Sequence, residues 1–105
     1  MLLTDYKPVG VDPSNEKTYD FFKDVFSEIA PAYACSPNFM LNCDEVFFLE
    51  GSQDAQGNLN AKLDKMIKEV GTGGMYAYHI NRLADMLKKY GKRAMIWADS
   101  PLLIF

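Results

Sequence analysis

Apolar residues recur at helical spacing in three stretches of the chain. The first stretch follows residues 12–15, where Asp, Ser or Asn is available as an N-cap, and ends near Pro31. The second breaks off at residues 71–74, which include three glycines, and the third ends before Gly91, a C′ glycine. This pattern predicts three amphipathic helices packed on a core. Their apolar positions are Tyr19, Phe22, Val25, Phe26 and Ile29; then Leu59, Leu63, Met66, Ile67 and Val70; then Tyr76, Ile80, Leu83, Leu87 and Tyr90.

Two further apolar runs are too short for helices and predict buried strands. Residues 39–41 follow the turn formers Ser36 and Pro37, and residues 94–97 follow Lys92 and Arg93. The order of helix, strand, long loop, two helices and strand is typical of a parallel α/β arrangement with a right-handed crossover. Residues 1–11 carry turn signals at positions 7–10 and are expected to be an irregular lead-in.

Length limits what these elements can build. The 105 residues, 49% of them hydrophobic, can bury one modest core. Parallel strands need neighbours at both edges and cover on both faces, and the chain supplies only two strands of this kind. We therefore expect residues 1–105 to be a fragment of a larger barrel or sheet. Because residues 101–105 are apolar, self-association through exposed apolar edges is also expected.

Charge and targeting signals exclude some partners. The net charge is −3 and the basic residues are scattered, which is not typical of a nucleic-acid surface. No apolar run approaches the roughly 20 residues that span a bilayer, and the first residues lack the regions of a signal peptide. The sequence therefore predicts neither a nucleic-acid nor a membrane partner.

The sequence also predicts no metal and no cofactor. Cys35 and Cys43 flank the first strand without metal-ligand spacing and are interpreted as free thiols. The glycines at 71–74 follow a helix, which indicates a turn rather than a phosphate-binding loop. His79 lies beside the apolar stripe of the third helix, as a packed or surface histidine usually does, so it is not a candidate catalyst.

The candidate chemistry lies where the two predicted strands end. Asp44 and Glu45 come after the first strand, and Trp97 and Asp99 stand at the end of the second. Ligands and catalytic groups collect at the carboxyl ends of parallel strands, and a long polar loop at 50–58 follows the acids. Adjacent acids are also common on solvated surfaces. Trp97 fits either the core or a platform for a sugar ring, and the aromatic residues at 47–48 fit either a pocket wall or the core.

Four blocks of the chain, in this order, resemble the catalytic domain of family 20 glycoside hydrolases, the β-N-acetylhexosaminidases. The blocks are DPSNEKTYDF at 12–21, NFMLNCDEV at 38–46, HINRL at 79–83 and YGKRAMIWAD at 90–99. The resemblance spans nearly the whole chain. It implies that residues 1–105 form a partial (β/α)8 TIM-barrel segment, in which parallel strands alternate with helices, from a barrel of about 250 residues.

The resemblance also implies a reaction. Its substrates are N-acetylhexosamine-containing glycans, and the 2-acetamido oxygen of the substrate is the nucleophile. Asp44 would orient that group and stabilise the charged intermediate, while Glu45 would act as general acid and then as base. Trp97 and Asp99 would bind the substrate.

The central block departs from the family pattern of His, aliphatic, Gly, Gly, Asp, Glu. Met40 stands in place of the His, and Asn42 and Cys43 in place of the glycines. Two main hypotheses follow: a segment of a retaining N-acetylhexosaminidase, or a non-catalytic carbohydrate-binding or interaction module on the same scaffold. A small α/β domain with merely solvated acids is a third. The isolated chain is expected to be inactive, because other sugar-binding residues of the family lie on strands absent from it.

Overall fold

The fold is built from helices and short strand pairs. The computed structural model describes residues 2–4, 8–42 and 60–96. These form strands β1 (Leu2–Thr4) and β2 (Pro8–Val11), helix α1 (Glu16–Ala32), strand β3 (Asn38–Asn42), helix α2 (Ala61–Lys88) and strand β4 (Arg93–Ile96). β1 pairs with β2 antiparallel, and β3 pairs with β4 parallel. The predicted parallel α/β unit is confirmed, whereas the described strands form two separate two-stranded sheets and a closed barrel stays a prediction.

The parallel strands are covered on one face. Successive side chains of a strand point to opposite faces, and Phe39, Leu41 and Ala94 point toward the core. Met40 and Met95 are register partners on the other face, where they are 39% and 44% exposed. The prediction of two strands is confirmed, but the prediction that they are buried is wrong for this second face.

Helix α1 starts from an Asn cap. The Asn15 side chain accepts a hydrogen bond of 3.0 Å from the Lys17 amide, which satisfies one of the free donors of the first turn. Tyr19 and Phe26 are buried as predicted. Ile29, predicted on the apolar face, is 39% exposed, and Ala30 is buried instead.

Helix α2 contains one non-helical residue. Gly71 has φ 79° and ψ 165°, a conformation open only to glycine, so it divides α2 into the helical segments 61–70 and 72–88. The predicted break is confirmed, although residues 72–74 belong to the second segment rather than to a turn. Leu63 and Ile67 pack with Met75 across the kink. Val70, predicted as a core position, is 56% exposed.

The main core lies between α1, segment 72–88 of α2 and the inner face of the parallel strands. Its buried members are Tyr19, Phe26, Leu83 and Leu87. The rings of Phe26 and Phe39 meet edge to face with centroids 5.2 Å apart, which fastens the middle of α1 to β3.

Lys92 fixes the direction of α1 relative to the strands. It lies directly before β4, is 6% exposed, and donates through Nζ to the carbonyl oxygens of Tyr33 at 2.7 Å and Ser36 at 2.6 Å. Tyr33 is the C-cap of α1. The carboxyl end of α1 therefore lies beside the amino ends of the strands, and its amino end points toward their carboxyl ends.

Residues 2–4 and 8–11 form paired strands rather than the irregular lead-in that the turn formers predicted. Leu2 pairs with Val11 and Leu3 with Gly10, and the register shifts before Thr4 pairs with Pro8. Pro8 is the first residue of β2, a position where the missing amide hydrogen of proline is tolerated. Proline and glycine were therefore misleading as turn signals here.

Candidate functional site

The parallel pairing brings the ends of β3 and β4 to one edge of the sheet. Asn42 and Ile96 are the last register partners of β3 and β4, so both strands run out at the same side of the sheet, here called the carboxyl edge. Asp44 comes two positions after Asn42, and Trp97 follows Ile96 directly. Catalytic groups of parallel α/β proteins collect at this edge.

The four predicted site residues lie outside the described residues. Asp44 and Glu45 fall in 43–59, and Trp97 and Asp99 fall in 97–105, as do the predicted long loop, Cys43, the aromatic residues at 47–48 and the apolar residues at 101–105. The structure thus brings together the strand ends that precede the four residues, and their roles stay predictions.

The amino end of α1 reaches the same edge. From Phe26, which packs on Phe39, eleven residues of helix lead back to Asn15, about 16 Å at 1.5 Å per residue. From Phe39, three residues of strand lead to Asn42, about 10 Å. Because α1 runs antiparallel to β3, the β2–α1 connection at residues 12–15 lies at or beyond the carboxyl edge.

A buried polar cluster holds this connection. The Asp12 Oδ1 atom accepts hydrogen bonds from the Ser14 amide at 2.9 Å and the Ser14 hydroxyl at 2.6 Å. The Thr18 hydroxyl donates to the Asp12 carbonyl oxygen at 2.7 Å. All three residues are at most 5% exposed. The connection is therefore fastened to the first turn of α1 by buried hydrogen bonds.

Asn60 joins this cluster to the start of α2. Its Nδ2 donates to Asp12 Oδ2 at 2.8 Å, and its Oδ1 accepts from the Leu63 amide at 3.1 Å as the N-cap of α2. Asn60 is 6% exposed. One amide side chain therefore caps a helix and binds a carboxylate 48 positions away, which brings the amino ends of α1 and α2 together.

A second cluster centres on Tyr19, the residue that follows Thr18 in α1. The Tyr19 hydroxyl donates to the Pro13 carbonyl oxygen at 3.1 Å and lies 3.1 Å from His79 Nδ1. Since the single hydroxyl hydrogen goes to Pro13, His79 Nδ1 is the donor to the Tyr19 oxygen. Burial lowers the pKa of His79 to about 4 and raises the pKa of Tyr19 above its ordinary value. His79 is thus a packed, neutral histidine, as predicted.

Arg82 closes this cluster toward solvent. Its guanidinium lies over the Tyr19 ring, 3.8 Å from the centroid, and Nη1 donates to Glu16 Oε1 at 2.8 Å and to the Tyr78 hydroxyl at 2.7 Å. The hydrogen bond from Arg82 lowers the pKa of Glu16, and the same pairing raises the pKa of Arg82. The ion pair between Glu16 and Arg82 links the first turn of α1 to α2. We interpret it as a structural contact between the two helices.

Potential metal ligands do not cluster among the described residues. Residues 2–4, 8–42 and 60–96 contain no group of three or more His, Cys, Asp or Glu side chains able to hold a metal ion. Cys35 is a free, exposed thiol.

Within residues 2–4, 8–42 and 60–96, no helix combines the length and hydropathy that crossing a membrane requires.

Sequence reasoning missed the roles of Asp12 and Asn60. The sequence indicates Asp12 only as one of three N-cap candidates, and Asn15 takes that role. Asn60 directly precedes an apolar helical pattern, which is an N-cap signal that could have been used. Nothing in the spacing of 48 residues indicates that their side chains meet.

Comparison with known families identifies a match over most of the chain. The family model described as "Glycosyl hydrolase family 20, catalytic domain" matches residues 3–102. This range includes both strands of the parallel pair and the segments that follow them. No curated protein matches the chain.

Proposed function

The chain belongs to glycosyl hydrolase family 20, and on this basis we propose that it is a segment of the (β/α)8 catalytic domain of a β-N-acetylhexosaminidase. The family itself implies a glycoside hydrolase and a glycan substrate. The proposal adds that terminal N-acetylhexosamine residues are removed with retention of configuration. The observation that carries it is the parallel pairing of β3 with β4, because residues 44–45 and 97–99 then follow strands that run out at one edge.

In the first step the substrate supplies its own nucleophile. The acetamido oxygen attacks C1 of the sugar, the bond from C1 to the leaving oxygen breaks, and the Glu45 carboxyl gives that oxygen its proton. Asp44 orients the acetamido group and its carboxylate stabilises the positive charge of the oxazoline-like ring. Trp97 supplies a stacking surface for the sugar, and Asp99 binds the substrate.

The second step reverses the roles. The Glu45 carboxylate takes a proton from water, the water oxygen bonds to C1, and the ring bond from C1 to the acetamido oxygen breaks. Two inversions at C1 retain the β configuration. Adjacent residues of a strand point to opposite faces, so Asp44 and Glu45 divide these tasks only if the chain turns as it leaves β3.

The second candidate function is a non-catalytic carbohydrate-binding module on the same scaffold. The departures at Met40, Asn42 and Cys43 favour it, because side chains stand where the family pattern has glycine and the polar His is replaced by an apolar residue. Met40 lies on the exposed face of β3, next to Met95 on β4. This face therefore presents thioethers where the family pattern has an imidazole.

The deciding experiment is an assay of the full-length protein that contains this chain on an aryl N-acetyl-β-glucosaminide. Glu45→Gln should lower kcat about 100- to 10,000-fold, because the proton donor is lost. Glu69→Gln, at an exposed position of α2, is the matched control and should leave kcat unchanged. Turnover that survives Glu45→Gln contradicts the proposal, and sugar binding without hydrolysis supports the binding module.

A further inference from the structure

A small cleft lies at the amino ends of the parallel strands, away from the carboxyl edge. Asn38 and Arg93, the first register partners of β3 and β4, both line it. Its volume is about 450 Å³, within the range of about 300–1,000 Å³ that is typical of small-molecule sites. The other lining residues are Pro37, Lys88, Gly91 and Lys92. We call this the basic cleft, because its lining has three cationic side chains and no carboxylate.

The turn between α2 and β4 brings these cations together. The Gly91 amide, at φ 69°, donates to the Lys88 carbonyl oxygen at 2.9 Å. The Lys92 amide donates to the Leu87 carbonyl oxygen at 3.2 Å, as in a Schellman turn. Lysines near the end of a helix often serve its last carbonyl groups. Here two of those groups have backbone partners, so the Lys88 ammonium is not required to satisfy them.

The basic cleft carries an excess of positive charge. Lys88 Nζ lies 2.9 Å from Asp85 Oδ1, and both side chains are exposed, so this ion pair is weak. Among residues 2–4, 8–42 and 60–96, no carboxylate lies within ion-pair distance of Lys92 or Arg93. Three cations and one paired carboxylate leave a charge of +2. A chain with a net charge of −3 thus has a local site that attracts anions.

The lining also offers hydrogen-bond donors to a ligand. The Lys92 ammonium has three N–H groups, and two of them donate to the carbonyl oxygens of Tyr33 and Ser36. The Arg93 guanidinium and the Asn38 side-chain amide have no hydrogen-bond partner within the part of the chain that the structure describes. A ligand with several acceptor oxygens and negative charge therefore fits the basic cleft better than a neutral or cationic ligand.

We propose that the basic cleft binds the phosphate group of a small phosphate monoester. At pH 7 this group carries a charge of about −1.5 to −2 and three acceptor oxygens, which match the charge and the donors of the lining. A carboxylate ligand would leave one positive charge unpaired. The planar fork of Arg93 binds two phosphate oxygens, and Lys88 and Asn38 donate to the phosphate as well. Lys92 keeps its bonds to the end of α1 and adds its charge.

Phosphorus NMR of glycerol 3-phosphate, titrated with the full-length protein that contains this chain, tests the proposal. We expect a dissociation constant of about 1 mM or below at about 0.15 M salt. Arg93→Gln should weaken binding about 10- to 100-fold, and Arg93→Lys, which keeps the charge without the fork, should weaken it less. Lys88→Gln should weaken binding about 3- to 10-fold. Lys89→Gln is the matched control at an exposed neighbour outside the lining and should weaken it less than about twofold.

Hydrogen exchange locates the ligand. Glycerol 3-phosphate should slow exchange of residues 88–93 in the wild type and not in Arg93→Gln, and both readouts measure binding alone, so the test does not depend on the hydrolase function.

Four outcomes overturn the inference. They are the absence of binding, equal losses in Lys88→Gln and Lys89→Gln, tighter binding of inorganic phosphate than of the ester, and much tighter binding of a short single-stranded oligonucleotide that both lysine variants weaken equally. The last result would indicate an open basic surface for nucleic acid instead of a cleft for one phosphate group.

Discussion

Tyr19 and His79 are sixty positions apart in the sequence, yet the Tyr19 hydroxyl oxygen lies 3.1 Å from His79 Nδ1. The same hydroxyl donates to the Pro13 carbonyl oxygen, so one phenol links α2, α1 and the β2–α1 connection. The ring of Phe22 lies beside the imidazole, with centroids 6.0 Å apart. Because His79 is buried on this side, its pKa differs between the folded and the unfolded chain.

His79 should make stability depend on pH. Burial lowers the pKa of His79 from its ordinary value of 6.5 to about 4, so between these values the unfolded chain binds a proton that the folded chain does not. The contribution is complete above pH 6.5 and is lost as the pH falls toward 4, with a total on the order of 3 kcal/mol. Urea unfolding at pH 7, 5.5 and 4.5 measures it. His79→Gln, whose amide can still donate to Tyr19, should show a flatter dependence, and parallel curves for the two proteins would contradict the prediction.

Tyr19→Phe should destabilise the chain by about 1–3 kcal/mol. The change leaves the Pro13 carbonyl and His79 Nδ1 without their shared partner in a buried place, and an unsatisfied buried polar group costs about that much. Thermal and urea unfolding give the difference. Tyr33→Phe, at a side chain that is 67% exposed, is the matched control and should change stability by less than about 0.5 kcal/mol. Equal effects of the two substitutions would show that the Tyr19 hydroxyl is not used as described.

Lys92→Met should cost about 2 kcal/mol of unfolding free energy. Its ammonium donates to two carbonyl oxygens at the carboxyl end of α1, where a positive charge also offsets the helix dipole. The control is Lys88→Met, which removes an exposed ion pair with Asp85 and should change stability by less than about 0.5 kcal/mol. The two variants have the same chemistry and differ in burial, so equal losses would contradict the role assigned to Lys92.

Gly71→Ala should destabilise by about 1–3 kcal/mol, because a side chain is strained at φ 79° and ψ 165° even where space is free. Gly73→Ala is the comparison. Gly73 lies in the helical segment 72–88 without a positive φ, so alanine there carries no backbone strain of this kind and should cost less than Gly71→Ala. Circular dichroism during unfolding gives both values, and a harmless Gly71→Ala would mean that the kink at Gly71 is not required.

The isolated 105-residue chain should self-associate through the exposed face of β3 and β4. Met40 and Met95 are adjacent there and exposed, and apolar patches of this kind promote association. Light scattering over a concentration series should show a rising mass, and Met40→Thr combined with Met95→Thr should lower it. Val70→Thr, at an exposed apolar position of α2, should not. A monomer at high concentration would refute this expectation.

Helical periodicity, together with the glycines that end the periodic stretches, was enough to predict the helices. Tyr19, Phe26, Leu83 and Leu87 repeat at intervals that place them on one side of a helix, and this local geometry holds in the structure. The helix break at Gly71 could be predicted for the same reason, because it depends on the backbone freedom of one residue. The resemblance to family 20, carried by short blocks in the right order, is confirmed by the match over residues 3–102.

Tertiary structure decided what depends on contact between distant segments. The strand that begins at Pro8 could not be predicted from its own residues. These residues form a strand because the backbone of Leu2 and Leu3 pairs with them. The exposure of Met40 depends on whether another segment covers the second face of the sheet, and the local sequence pattern does not predict this cover. The bonds from Asp12 to Asn60 and from Tyr19 to His79 join residues that no periodicity relates. Local geometry along the chain therefore determined the helices and the parallel strands, and the packing of α1 against α2 decided which polar groups are buried and paired.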